Sequence, residues 1–98
     1  MYISIRRYKP NSADAANEFT RRVNKGFVPI ISKAPGFIAY YGINAGNGVW
    51  ASVSIFKTKA GAEKSNKMAA DWVKQNVASL VLGPPEITTG EAVVHKTA

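Results

Sequence analysis

The stretch Ala34-Pro35-Gly36-Phe37-Ile38-Ala39-Tyr40-Tyr41-Gly42-Ile43-Asn44 decides the fold, because the periodicity of the chain changes inside it. Upstream, apolar residues recur in steps of three and four at Ala16, Phe19, Val23, Phe27, Ile30 or Ile31, and Ala34, as in an amphipathic helix. Pro35 cannot extend that helix, and Gly36 readily adopts the positive φ that ends one. Downstream the period becomes two, from Phe37 to Asn44 and again from Val49 to Phe56. Between these strands, Ala45-Gly46-Asn47-Gly48 holds the residues a tight hairpin turn requires. With Gly46-Asn47 as the turn, Ala45 pairs with Gly48. Helix one also contains Pro29, which removes the hydrogen bond to the Lys25 carbonyl and predicts a bend near Gly26.

Working outward, Tyr2 to Tyr8 alternates as a first strand, and Asn11 or Ser12 is placed to cap helix one. A second helix is predicted from about Thr58 to Leu80, with Ala62, Ala69, Ala70, Val73, Val77 and Leu80 on one stripe. Gly83-Pro84-Pro85 stops it, and Ile87 to His95 reads as the last strand. The order is strand–helix–strand–strand–helix–strand. Residues 1–95 are expected to form one domain and 96–98 a tail.

The hairpin register sorts side chains into two faces. Ile38, Tyr40, Val49, Ala51, Val53 and Ile55 share the first, nearly all aliphatic. It is read as the face beneath the helices, together with Ile3, Ile5 and Arg7 of strand one. Phe37, Ala39, Tyr41, Ile43, Trp50, Ser52, Ser54 and Phe56 share the second, which is aromatic and small-polar. A solvated sheet face carries Lys, Glu or Arg, and this one does not. Two helices cover only one face, so a second copy of the sheet is expected on the other, in a self-complementary two-fold contact. A homodimer through Tyr41, Trp50 and Phe56 follows.

The chain has 98 residues, 46% of them hydrophobic, no cysteine and a net charge of +7. That length supports one core and gains stability from a partner subunit. The lack of cysteine excludes disulfides and thiolate chemistry. No apolar run approaches the ~18 residues that span a bilayer, and the N-terminus lacks a signal-peptide block. A cytoplasmic protein with no membrane partner is expected. The basic residues are spread out, with small groups only at Arg6-Arg7-Lys9 and Arg21-Arg22-Lys25, so the charge reads as solvated surface and no nucleic-acid partner is expected.

Asn66 interrupts the apolar stripe of helix two. A buried amide must be hydrogen-bonded or it costs about 1–3 kcal/mol. It is either satisfied by a neighbouring carbonyl or hydroxyl, or it faces a pocket between helices and sheet and orients a ligand. Trp72, on the flank of that helix, either packs over the stripe edge or walls the same pocket. Arg7 either snorkels to solvent or reaches the pocket rim to hold an anionic, phenolate-like ligand. Phe19, Tyr40 and Val53 are the candidate ligand contacts. His95 stands alone near the C-terminus. No metal-ligand cluster, catalytic triad, phosphate loop or paired carboxylate is present, so neither a metal nor a cofactor is expected.

Three features resemble the antibiotic-biosynthesis-monooxygenase-like domains of the dimeric α+β barrel superfamily. They are Ala34-Pro35-Gly36-Phe37 closing helix one, Tyr40-Tyr41 in the next strand, and Val53-Ser54-Ile55-Phe56-Lys57-Thr58 leading into helix two. The resemblance implies a ferredoxin-like α+β subunit with an antiparallel sheet that packs against its mate's. It also implies a cofactor-independent monooxygenase acting on an aromatic or quinol-type small molecule, with Asn66, Trp72 and Arg7 as catalytic candidates. The haem-degrading branch needs a histidine on helix two, and none is there. The competing reading is a non-catalytic domain of the same fold binding a small apolar or aromatic ligand. An RNA-recognition motif shares the element order, but Asn47-Gly48-Val49-Trp50-Ala51-Ser52-Val53 does not match that family's third strand.

Overall fold

A computed structural model describes residues 1–98. Its elements run β1 (Tyr2–Tyr8), α1 (Ala13–Arg22), a π-helical turn (Val23–Phe27), α2 (Val28–Ile31), β2 (Phe37–Gly46), β3 (Val49–Phe56), α3 (Lys59–Asn76) and β4 (Glu86–Glu91). The sheet has the order β2-β3-β1-β4 and is antiparallel throughout. The helices cover one face of it. This is the ferredoxin-like α+β arrangement.

Local chemistry explains the boundaries. Ser12 caps α1, its Oγ accepting from the Ala15 amide at 3.0 Å, while the Asn11 side chain donates to the Ser79 carbonyl. Thr58 caps α3 in the same way through the Gly61 amide at 3.1 Å. The irregularity expected near Gly26 takes the form of a π turn: the Val28 amide reaches back five residues to the Val23 carbonyl. Pro29 has no amide to keep the ordinary ladder closed at this point. The turn leaves both Val23 and Phe27 buried against the sheet.

The hairpin corrects the expected register. Asn47 and Gly48 both have positive φ, at 52° and 73°, so they are the two-residue turn. A β-bulge at Ala45, between the Gly46–Val49 and Asn44–Trp50 pairs, then shifts the register by one residue, so that Tyr40 lies opposite Ser54 and Gly42 opposite Ser52. A slip of one residue moves a side chain to the other face. Tyr40 accordingly leaves the aliphatic set and points to the helices, against Phe27.

The larger correction concerns which face is covered. Ser4, Arg6 and Tyr8 of β1 and Trp50, Ser52, Ser54 and Phe56 of β3 are all buried beneath the helices. Ile3, Ile5, Ala51, Val53 and Ile55 form the other face, which has no helix on it and is half-buried, with Arg7, Tyr41 and Ile43 exposed. Trp50 and Phe56 are thus core residues, 2% and 0% exposed, and not part of an outer contact surface. Of the three residues expected there, only Tyr41 is on the bare face. The aromatic side was chosen by the helices because it interlocks with them. Trp50 lies edge-on to Phe19, with ring centroids 4.7 Å apart, and Phe56 meets Phe37 at 5.8 Å. Gly42 makes room for Trp50: a Cβ there would approach the indole to 2.8 Å.

Three ends are shorter than expected. The first helical run stops at Ile31, and turns carry the chain through Ala34-Pro35-Gly36 to β2. Helix α3 stops at Asn76 and a 3-10 turn, Ala78–Leu80, follows. Strand β4 stops at Glu91, since Glu91 already pairs with Tyr2 at the start of β1. Val93 and Val94 are 83% and 90% exposed, and His95 follows them outside any strand.

Candidate functional site

A charged side chain lies in the middle of the covered face. Arg6 is 1% exposed, sandwiched between the sheet and α3. Its Nη2 donates to Ser54 Oγ at 2.7 Å, and its Nη1 to Asn66 Oδ1 at 2.9 Å and to Ser65 Oγ at 3.4 Å. All three acceptors are neutral. The ion pairs of the chain, Arg21 and Arg22 with Glu18, Lys59 with Glu63 and Lys67 with Asp71, lie elsewhere on the helices. Arg6 is therefore a buried cation with no counter-ion. Taking such a group out of water still costs several kcal/mol after relaxation, and neutral hydrogen bonds offset only part of that.

Asn66 is what holds the guanidinium. Its Oδ1 accepts from both Arg6 and Ser4 Oγ, and its Nδ2 donates to Thr89 Oγ1 at 3.0 Å. Thr89 Oγ1 lies 3.0 Å from Ser4 Oγ as well. Strands β1 and β4 are thereby tied to α3 through one amide whose oxygen faces the cation. The amide that interrupts the stripe of α3 is thus hydrogen-bonded through both its oxygen and its nitrogen.

Beside Arg6 is a cavity lined by Tyr8, Phe19, Phe27, Tyr40, Trp50 and Trp72, with Ser52 at its polar end. Its volume is about 10 Å³, room for a single water-sized particle. Two buried polar atoms of this lining, Arg6 Nε and Ser52 Oγ, have no hydrogen-bond partner. Burial pushes the Tyr40 phenol up to about 12, against the pull of Arg6 and Ser52. Burial also raises Tyr8, again opposed by Arg6. Both phenols therefore stay protonated near neutrality and can donate. The pocket contains a cation, hydroxyl donors and aromatic walls, and no carboxylate or imidazole.

An open groove of about 440 Å³ runs over the outside between α1, the π turn and β2, lined by Thr20, Arg21, Asn24, Val28 and Asn44. It shares Val23, Tyr40 and Trp50 with the cavity, so these three side chains form the partition. Trp50 is held there by its indole N–H, which donates to Thr20 Oγ1 at 2.8 Å.

The residues singled out from sequence divide accordingly. Phe19, Tyr40 and Trp72 line the cavity. Asn66 stands behind it, on Arg6. Two expectations are corrected: Arg7 is exposed on the bare face, and Val53 lies on that face beside it, opposite Ile5 and Tyr41. Both followed from assigning the aliphatic set to the helices. Arg6 is the arginine of the site, and Tyr8, Ser52 and Ser54 join it. The available signal was the alternation Ser4-Arg6-Tyr8 on one side of β1 facing Ser52 and Ser54 on β3. No three His, Asp or Glu side chains converge anywhere.

No protein-family model and no curated protein matches the sequence. Solved structures match its shape over nearly the whole chain. A protein of unknown function from Nitrosomonas europaea superposes with a TM-score of 0.79 at 18% identity, over 99% of this chain and 93% of that one. A proposed antibiotic biosynthesis monooxygenase from the same organism gives 0.75 at 14%, over 96% and 100%. A monooxygenase of Streptomyces coelicolor, solved with nanaomycin D, gives 0.74 at 12%, over 98% and 92%. The fold is antibiotic-biosynthesis-monooxygenase-like. Other structures of this fold include a dimeric ferredoxin-like protein from an uncultured marine organism and a cofactor-independent oxygenase from Streptomyces nogalater. No helix of the chain is long and apolar enough to cross a membrane.

Proposed function

We propose that this protein is a small oxygenase whose aromatic substrate is held as a phenolate or enolate against Arg6. The observation that supports this reading most directly is a buried guanidinium without a counter-ion, set among aromatic rings and hydroxyl donors. Such a lining favours the anionic form of a phenol over the neutral one, because every polar group in it can donate and the cation is fixed. The ring lies in the groove and displaces the Val23–Tyr40–Trp50 partition, so that its oxygen reaches Arg6. Asn66 positions the guanidinium; Trp72, Phe19 and Tyr40 wall the ring.

The electron-rich anion is the reductant. It passes an electron to O2, the radical pair collapses to a new C–O bond para to the phenolate, and the resulting peroxide anion takes a proton from solvent to become a ring hydroperoxide. The O–O bond then breaks as the ring proton on that carbon leaves. One oxygen atom remains as a quinone carbonyl, and the other departs as water. The substrate supplies all four electrons, so no further reductant is needed. No side chain in the pocket titrates as a base near neutrality, so the substrate must reach the pocket ionised or lose its proton to solvent.

The subunit acts in this proposal as a homodimer, two bare sheet faces meeting through Ile3, Ile5, Tyr41, Val53 and Ile55. The same donors-only pocket also suits a domain that binds an aromatic anion without turnover. Oxygen uptake with a panel of phenols and quinols separates the two. Uptake that collapses in Arg6→Met supports the oxygenase. Ligand-induced stabilisation without uptake in the wild type leaves the binding domain, and neither response disproves both.

A further inference from the structure

We infer that the cavity beside Arg6 is a binding site for a single small monatomic anion, a halide, when no organic ligand is present. Four observations converge on one spot. The Arg6 side chain is 1% exposed and carries a charge that no carboxylate balances. Its Nη atoms are engaged with Ser54, Ser65 and Asn66, while its Nε–H has no partner. Ser52 Oγ, also fully buried, makes no well-formed hydrogen bond, the Tyr40 hydroxyl being close enough to feel it but off the required geometry, and both residues line the same cavity. The volume there is about 10 Å³, enough for one water-sized particle and too small for a carboxylate or phosphate.

Water in that space satisfies the two unpartnered groups and leaves the charge uncompensated. A halide does both, since it accepts from Nε–H and Oγ–H at once and supplies the missing negative charge. Tyr8 and Tyr40 also line the space, and burial keeps both phenols protonated, so neither competes as an anion. The Phe19, Phe27 and Trp50 rings exclude solvent, which strengthens the attraction relative to a surface site. Chloride is larger than water, so it enters by an outward shift of the Val23, Tyr40 and Trp50 partition that the cavity shares with the groove.

This inference does not rest on the oxygenase reading, because it is tested by binding alone. Melting is followed as chloride replaces gluconate at constant ionic strength, and crystals are grown in bromide for anomalous diffraction. The expected result is a Tm that climbs with the logarithm of chloride concentration beyond the dissociation constant, with a bromide peak in contact with Arg6 Nε and Ser52 Oγ. Arg6→Met removes the charge and should flatten the chloride response. Ser52→Asp installs a carboxylate beside the guanidinium and should flatten it too, so the test holds even if Arg6→Met fails to fold. An ordered water and no bromide in the cavity would overturn the proposal. So would a chloride response that is unchanged in Ser52→Asp.

Discussion

The two faces of the sheet invert the usual distribution of polarity. The covered face carries Ser4, Arg6, Ser52 and Ser54 under the helices, whereas the bare face carries Ile3, Ile5, Val53 and Ile55. Burial of apolar area is the main driving force for folding, so an aliphatic side left uncovered is the anomaly. Exposed Tyr41 and Ile43, at 58% and 46%, extend it. The covered side resolves the question of packing differently. Its rings, Phe19, Trp50 and Phe56, supply the apolar burial, and the polar groups are concentrated in the gap between them. One face is organised around a charge, and the other is an uncovered apolar surface.

The sharpest break of this contrast is Phe56→Ala. Phe56 is 0% exposed and packs on Phe37, so truncation should cost about 3–5 kcal/mol. Urea denaturation measures it, and a loss below ~1 kcal/mol would mean that the aromatic side is not the folding core.

On the opposite side, Val53→Arg should leave each subunit folded and separate the proposed dimer. An unpaired charge forced into a desolvated contact costs ~3 kcal/mol or more, about a hundredfold in dissociation constant. Sedimentation at micromolar concentration reads this directly. If the wild type is already monomeric there, the bare face has another role.

A third test uses pH on the covered face. The Tyr40 phenol is pushed up to about 12, above its ordinary value near 10, because burial disfavours the phenolate. The folded state therefore holds this proton where the unfolded chain releases it. Stability from Tyr40 is fully present below pH 10 and declines as pH rises toward 12, by an amount on the order of 2 kcal/mol. Alkaline melts of the wild type and Tyr40→Phe should diverge across that window and coincide below it.

How much of this was legible follows from the same contrast. The element order and the disturbance around Gly26 and Pro29 were readable, because each rests on local backbone chemistry; the helix itself ends at Ile31, ahead of Pro35-Gly36. Which face turned inward was not. Alternation separates two sets of residues, but neither set is strongly charged, so period alone cannot say which one meets the helices. The choice fell to shape: Trp50 needs the space above Gly42, and Phe56 needs Phe37. The turn was misplaced by one residue because Gly46, Asn47 and Gly48 all adopt positive φ, which lets either pair serve on paper. The bulge at Ala45, which alternation does not reveal, moved Tyr40 to the other face, and the choice of face made Arg7 the candidate in place of its neighbour. Asn66, Trp72, Phe19 and Tyr40 reached the neighbourhood of the pocket because helical spacing and aromatic size survive such errors.

The smallest expected change is also the most diagnostic. If Arg6 were kept for stability, replacing it would be severe. A buried ion without a counter-charge instead gives back its desolvation cost on removal, and apolar replacement of buried ionic groups is often neutral or stabilising by about 1–4 kcal/mol. Arg6→Met matches the stem in length and leaves Ser54 Oγ and Asn66 Oδ1 each short of one donor, which works against the gain. The two contributions nearly cancel, so a net change within ~1 kcal/mol in low-chloride buffer is expected. Asn66→Ala is the counterpart: it keeps the charge and deletes one of its acceptors, and should cost about 1–3 kcal/mol. A charge that is harder to hold than to lose is retained for what it binds. Should Arg6→Met prove much more damaging than Asn66→Ala, the guanidinium is a structural strut and the covered face is an ordinary core.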